Sequence, residues 1–139
     1  MCSFDVPVAA QRAVQGCTMV KTSLQQFMEQ RETANDVVMK YAGRTTKRFF
    51  NLDNAAYQDG ALPVKQKELM GLVASLVLRC DDCIMYHLAR CFEEGVSDAE
   101  LEESLSVGLV VGGSITIPHI RRALTAWEEH KTAAREEQS

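Results

Sequence analysis

Two thiols and an imidazole fall within eight residues, from Cys80 to His87. On a helix, Cys80 and Cys83 are i and i+3 neighbours and Cys83 and His87 are i and i+4 neighbours, so all three share one face. The imidazole is then within reach of a thiol, and a base beside a thiol favours the nucleophilic thiolate. The spacing therefore predicts redox or nucleophilic chemistry at this segment.

The surroundings of the two cysteines act on the thiols in opposite directions. The first-turn amides of a helix that begins near Cys80 favour a negative sulfur. Asp81 and Asp82 instead place carboxylates where they would raise the pKa of a neighbouring thiol, so the sign of the net effect stays open. Because only two residues separate the cysteines, an oxidised sulfur at one of them can be resolved by the other as a disulfide.

Helices are the elements that must position these residues. The chain has prolines only at positions 7, 63 and 118, and apolar residues recur every three or four positions in the long tracts between them. We therefore predict an all-α, compact single-domain bundle of about six helices. The predicted helices run from Ala9 to about Gln30, from about Asn35 to Phe50, from Pro63 as the central buried helix, from near Cys80 to Gly95, from a capping box at Ser97 to about Val111, and from Ile117 onward.

The single predicted domain covers residues 1–139 and has three parts. N-terminal helices occupy about residues 1–60, the core with the cysteine motif occupies residues 62–127, and a polar tail occupies residues 131–139. We expect turns at residues 51–54 and 59–60, where Asn, Asp and Gly cluster.

Composition narrows the class of protein. Hydrophobic residues make up 46% and charged residues 24% of the chain, a balance typical of soluble globular proteins. The formal charge of -4 argues against nucleic-acid binding. There is no secretory signal and no apolar stretch long enough to span a bilayer. The five cysteines are odd in number and do not suggest a structural disulfide framework, so we expect a cytoplasmic protein.

Glu68 makes the cysteine motif more specific, because it stands twelve residues before Cys80. Glu68, Cys80, Cys83 and His87 together resemble the Glu-x11-Cys-x2-Cys-x3-His signature of the alkylhydroperoxidase D and carboxymuconolactone decarboxylase-like family. The resemblance covers roughly residues 62–124 and includes segments 65–69 and 117–123. One departure is that the alkylhydroperoxidase D motif has a further histidine between its cysteines, where this chain has two aspartates.

The resemblance implies a fold, an activity and a set of residue roles. The fold is all-helical, with the glutamate helix beside the cysteine helix, and the activity is that of an antioxidant thiol-dependent peroxidase or disulfide reductase. Glu68 and His87 would relay a proton away from Cys83, the attacking thiolate, and Cys80 would be the resolving thiol of a redox-active disulfide. No metal or other cofactor is implied.

The same resemblance implies several partners. The substrate would be a hydroperoxide or a disulfide, and the reductant a dithiol such as a lipoylated or thioredoxin-like protein. Family members are commonly trimers or hexamers. Wide apolar stripes on nearly every predicted helix independently predict burial between subunits.

Two other functions remain as alternatives. Cys80, Cys83, His87 and Cys91 are zinc-ligand types, but four ligands along one straight helix cannot all converge on a tetrahedral ion. A three-ligand site completed by Glu68 or by water, in a non-redox helical module, stays open. A carboxymuconolactone decarboxylase-type enzyme is the other alternative, although the resemblance implies that true decarboxylases lack the cysteine pair.

Three residues near the motif are secondary candidates. His119 follows Pro118 at a predicted helix start and is either a structural first-turn residue or part of the site. Tyr86 borders the motif and suits packing or a subunit contact, while Asp82 lies between the cysteines. The division of roles between the cysteines also stays open, because the first thiol of many CxxC helices is the more exposed one and a partner could react at Cys80.

Overall fold

The computed structural model describes residues 20–139, and all the regular structure within them is helical. The helices are α1 (Ser23–Tyr41), α2 (Arg44–Ala56), α3 (Val64–Leu78), α4 (Asp81–Glu93), α5 (Asp98–Gly112), a short 3-10 helix (Ser114–Thr116) and α6 (Ile117–Glu137). The prediction of an all-α bundle of about six helices is confirmed. The predicted helix start at Ala9 lies outside the described residues.

Helix α3 is the central element, as its apolar sequence predicts. It packs against both α4 and α5, while α1 and α6 pack against α4. Leu72 and Leu76 of α3 are fully buried and share the core with Ile84 and Leu88 of α4 and with Trp127 of α6. This packing fixes α3 and α4 side by side, which are the two helices that carry the predicted site.

The predicted break between the first two helices is wrong. A single helix, α1, runs through the expected break at residues 31–34 and ends at Tyr41. Its N-cap is Thr22, whose side chain accepts a hydrogen bond from the Gln25 amide, while the Thr22 amide donates a hydrogen bond to Gln25 Oε1. Reciprocal bonds of this kind satisfy otherwise unpaired amides, and they set the helix start more firmly than the apolar stripe does.

One expected turn is also helical, and the last helix extends into the predicted polar tail. Residues 51–54, predicted as a turn, lie inside α2, whereas residues 59–60 do lie in the connection to α3. The predicted polar tail at 131–139 continues α6 as far as Glu137. Contacts hold this part of α6 in place, because His130 bonds to Thr22 at 2.9 Å and Lys131 pairs with Asp98.

The connection from α4 to α5 has the features that the sequence predicted. Gly95 has a φ of 67° just beyond α4, which is a conformation that glycine adopts at low cost. Ser97 and Glu100 then form the predicted capping box of α5. Within residues 20–139, no helix combines the length and the apolar character needed to cross a membrane.

Candidate active site

The two cysteines of the motif are joined where α3 turns into α4. Arg79 ends α3 in the left-handed conformation with a φ of 58°, and Cys80 becomes the N-cap of α4. Cys80 and Cys83 form a disulfide with their Cα atoms 5.2 Å apart. The Cys83 amide donates to Cys80 Sγ at 3.3 Å, so the positive end of α4 is directed at this sulfur.

Glu68 and His87 form a buried pair between α3 and α4. The Glu68 side chain is 1% exposed, and its Oε2 lies 2.8 Å from Nδ1 of His87, which is 8% exposed. A carboxylate can only accept a hydrogen bond, so Nδ1 carries the hydrogen of this contact, and in the neutral ring Nε2 has the lone pair. The pair thus has the geometry in which an acid residue orients a histidine base.

Tyr57, at the end of α2, approaches the other ring nitrogen of His87. Its hydroxyl lies 3.4 Å from Nε2, and the two ring centroids are 5.2 Å apart. Burial, followed by the nearby Glu68 charge, raises the pKa of Tyr57, so the phenol keeps its hydrogen and donates to Nε2. Tyr57 was not among the predicted site residues, because nothing in its spacing connects it with the cysteine motif.

Arg90 donates a hydrogen bond to the second carboxylate oxygen of Glu68. Its Nε lies 3.4 Å from Glu68 Oε1, while its Nη atoms pair with Glu93 and, at 3.3 Å, with Glu94. Burial opposes the Arg90 charge, but the Glu93 and Glu68 carboxylates outweigh it and raise the guanidinium pKa. Arg90 was not among the predicted site residues either. Its position three residues after His87 on one helix could have indicated that the two side chains are neighbours.

A cavity of about 490 Å³ opens beside Cys83 and His87. Cys83 is exposed at this cavity, whereas Cys80 is half-buried and does not line it. Both Tyr86 and Asp82, the secondary candidates, lie in the cavity wall. The other lining residues come from α1 and α2: Phe27, Gln30, Arg31, Ala34, Asn35 and Asp53.

Arg31 contributes a cation to this cavity and stacks on one of its walls. Its guanidinium lies 4.0 Å from the centroid of the Tyr86 ring, a cation–π contact. Burial, followed by the Glu68 charge, raises the pKa of Tyr86, so this side chain stays neutral at physiological pH. Tyr86 therefore combines the predicted packing role with a place in the cavity wall.

His119 lies outside this cavity and contacts the segment between the cysteines. Its Nδ1 is 2.6 Å from Asp81 Oδ1, and Arg122 Nη2 is 2.9 Å from both Asp81 oxygens. The hydrogen bond from His119, together with Arg122, holds the pKa of Asp81 below its usual value. The structure thus joins α6 to the first turn of α4, next to the disulfide.

The part of the chain that the structure describes contains no cluster of ligands for the zinc site considered as an alternative. No three of its His, Cys, Asp and Glu side chains come together in a way that could hold a metal ion. Cys91, one of the proposed ligands, is completely buried. Burial, followed by the Glu68 charge, raises the pKa of its thiol to about 12, which keeps this cysteine protonated.

Comparisons with known proteins agree with the arrangement of the helices. A protein of Thermotoga maritima is 55% identical, with a TM-score of 0.77 over 82% of this chain and 97% of its own. It is named a carboxymuconolactone decarboxylase family protein with a possible part in the antioxidative response. A Legionella pneumophila protein of the same family is 27% identical, with a TM-score of 0.70 over 76% of this chain and 95% of its own.

A sequence relative and a family model complete these comparisons. An uncharacterized protein of Cupriavidus necator is 29% identical over 80 residues, which are 58% of this chain and 71% of the relative. The model of the carboxymuconolactone decarboxylase family matches residues 44–128. Since this match spans more than half of the chain, the protein belongs to the carboxymuconolactone decarboxylase family.

Proposed function

We propose that this protein is a thiol-dependent peroxidase or disulfide reductase that works through the Cys80–Cys83 pair. The observation that carries the proposal is the position of Cys83. It is exposed in a cavity that it shares with His87, and the ring of His87 is oriented by the buried carboxylate of Glu68. A reactive thiol, a base and a group that orients the base thus occur together beside a space for substrate.

The proposed cycle begins with the loss of the Cys83 proton to Nε2 of His87. The thiolate attacks the terminal oxygen of a hydroperoxide, the O–O bond breaks, and the products are a sulfenic acid on Cys83 and an alcohol that has taken up one proton. Cys80 then attacks the Cys83 sulfur, the disulfide forms, and water leaves. Overall, two thiols and one hydroperoxide become a disulfide, an alcohol and water, and the two cysteines have given up two electrons.

Glu68 is the proton acceptor behind His87 in this cycle. When Nε2 gains the Cys83 proton, the hydrogen on Nδ1 lies 2.8 Å from Glu68 Oε2 and can pass to it. Tyr57 holds the ring from the Nε2 side until a thiol or substrate takes its place. In this proposal, Glu68, Cys80, Cys83 and His87 have the roles that the family resemblance implied.

A dithiol protein, such as a lipoylated or thioredoxin-like protein, would close the cycle. One of its thiolates attacks the Cys80–Cys83 disulfide, and its second thiol releases the mixed disulfide, which returns both cysteines to thiols. The reduced Cys80–Cys83 pair could in turn reduce a low-molecular-weight disulfide by the same thiol–disulfide exchange. We further propose that the protein works as a homo-oligomer, a trimer or hexamer.

The test is a count of thiols by mass spectrometry in reduced protein before and after a slight excess of hydroperoxide. We expect rapid loss of two thiols as the Cys80–Cys83 disulfide, slowed by about 10²-fold or more in Glu68→Gln and His87→Ala. Replacement of Glu129, an exposed glutamate on α6, by Gln provides the matched control and should leave the rate unchanged.

Two results would overturn the proposal. One is that the two thiols stay reduced in the wild-type protein, which would make the motif structural. The other is a lactone decarboxylation that survives in Cys80→Ser, since a decarboxylase has no need for a cysteine pair.

A further inference from the structure

Glu68 lines a cavity that is next to the substrate cavity. The substrate cavity contains Cys83 and His87. The second cavity, of about 430 Å³, borders Glu68 and Arg90 but touches neither Cys83 nor His87. Asn54 and Gln58 of the α2 region give this second cavity a polar wall. A carboxylate that is 1% exposed therefore has one oxygen on the base and the other on Arg90, and both Glu68 and Arg90 line this polar space.

Arg90 stands at the border between Glu68 and the protein surface. Its side chain is 31% exposed and bridges buried Glu68 to Glu93, which is 52% exposed. Its Nε also lies on Glu68 Oε1, the oxygen that His87 does not use. The guanidinium is therefore placed where it favours a negative charge on Glu68 and helps to expel a proton from it.

We propose that the proton taken from Cys83 leaves the active site through this second cavity, with Arg90 as the positioning residue at its border. The inference rests on the proposed function. In the step concerned, the Cys83 proton arrives at His87 Nε2, the Nδ1 proton passes to Glu68, and a water molecule of the second cavity takes it from the carboxyl group. Glu68 and His87 then return to their starting protonation states. The alkoxide that leaves the hydroperoxide takes its proton from water in the substrate cavity, so the overall reaction neither gains nor loses a proton.

Charged and titratable side chains from three helices surround the Glu68–His87 pair. They are Arg31 of α1, Asp53 and Tyr57 of the α2 region, and Asp82, Tyr86, Arg90, Cys91 and Glu93 of α4. Arg90 is the one cation among them that is within 4.0 Å of the Glu68 carboxylate. Its removal should therefore take away the nearest positive charge that favours an ionised Glu68 carboxylate.

The main test compares Arg90→Gln, Arg90→Lys and wild type. The rate of disulfide formation with one hydroperoxide is measured by rapid acid quench and mass spectrometry from about pH 5 to about pH 9. We expect the midpoint of the pH–rate curve to rise by about one pH unit in Arg90→Gln and to return most of the way in Arg90→Lys. The matched control is Arg48→Gln, which removes an exposed arginine of α2 and should keep the wild-type midpoint.

A lower rate with an unchanged midpoint in Arg90→Gln would mean a merely structural role and would overturn the proposal. If the wild-type protein forms no disulfide at any pH, the proposed function fails by itself. The role of Arg90 is then decided by the titration midpoint of the His87 ring, measured by NMR in reduced protein. An equal midpoint in Arg90→Gln and wild type would overturn it without any turnover.

A second variant tests the route. Asn54→Trp places a large side chain in the second cavity and leaves the wall of the substrate cavity untouched. We expect severalfold slower disulfide formation with an unchanged midpoint. Asn51→Trp makes the same change three residues earlier on α2, outside both cavity walls, and should react at the wild-type rate. A wild-type rate in Asn54→Trp would show that the proton leaves by another route.

Discussion

Gly71 of α3 lies directly against the imidazole of His87. A β-carbon at position 71 would stand 2.5 Å from Cε1 of His87 and 2.7 Å from the hydroxyl of Tyr57. Real Cβ atoms essentially never approach other heavy atoms so closely. The absence of a side chain one turn after Glu68 is thus a condition for the position of both the base and its tyrosine partner.

Gly71→Ala should therefore displace His87 and lower activity more than stability. Alanine favours a helix by about 1 kcal/mol over glycine, but the overpacking costs about 1–3 kcal/mol, so we expect a small net loss of stability. Disulfide formation should slow by at least about tenfold, because the base no longer meets Glu68 and Cys83 correctly. Stopped-flow oxidation and urea unfolding measure the two effects.

Gly43→Ala is the control for this change. Nothing lies within 4 Å of the β-carbon that it would add. Its oxidation rate should equal that of the wild type. If Gly71→Ala also oxidises at the wild-type rate, the precise placement of His87 is unimportant for the chemistry.

The first sulfenic acid should form on Cys83. This cysteine is exposed in the cavity beside His87, whereas Cys80 is half-buried at the helix cap. In Cys80→Ser treated with hydroperoxide and dimedone, peptide mapping should find the adduct on Cys83. Cys91 should remain a thiol throughout, because its pKa is raised to about 12 by burial and by the Glu68 charge.

The reverse pattern would assign the attack to Cys80. In that case Cys83→Ser would carry an adduct on Cys80, while Cys80→Ser would carry none on Cys83. The amide of Cys83 at 3.3 Å from Cys80 Sγ gives this outcome a physical basis, since a helix N-terminus also favours a thiolate.

The residues that could be predicted from sequence are those whose relation depends on helical spacing. Cys83 and His87 lie four residues apart on α4, and Arg90 was within reach of the same reasoning. Glu68 was identified only through the family signature, because its 2.8 Å contact with His87 joins two different helices. Spacing along one helix carries no information on such a contact.

Tyr57 and Arg31 could not have been found in this way. They reach the site from the α1 and α2 region, outside the segment 62–124 on which the sequence resemblance was based, and their approach depends on how these helices pack. The N-cap of α1 at Thr22 was missed for a related reason. A stripe of apolar residues indicates which side of a helix is buried, but it does not indicate where the helix begins. Capping residues mark the end, and Thr22 with Gln25 was the signal available.

Asp81 should stabilise the fold at neutral pH and lose this effect in acid. Its pKa is lowered by the His119 hydrogen bond and by Arg122, so its contribution is present above the unfolded value and disappears as the pH falls through the folded one. Since Asp81 is half exposed, we expect Asp81→Asn to cost only about 0.5–1 kcal/mol at neutral pH. Urea unfolding should show the difference closing below about pH 4.

Asp36→Asn is the control for this effect, since Asp36 is an exposed aspartate of α1 that makes no ion pair within residues 20–139. Its unfolding free energy should follow the wild type at every pH. A difference between Asp81→Asn and wild type that persists undiminished in acid would mean that the contact acts through packing and not through charge.

An apolar face on α3 and α5 should be the contact between subunits. It consists of Leu69, Met70, Val73, Ala74, Val77, Leu78, Ser104, Val107 and Val111, none of which is charged. Met70, Leu78, Val107 and Val111 are each more than half exposed in the single chain. Because monomeric proteins rarely leave so continuous an apolar surface in water, we expect a second copy of the chain to cover it.

Val107→Asp places a charge in the middle of this face, where a subunit contact would have to bury it at a cost of several kcal/mol. Light scattering should show a mass close to that of the 15.5 kDa chain for this variant and a multiple of it for the wild type. Ala99→Asp adds the same charge to the exposed first turn of α5 and should keep the wild-type mass. A Val107→Asp protein that keeps the wild-type mass would place the subunit contact on another surface, and a wild-type monomer would remove the contact altogether.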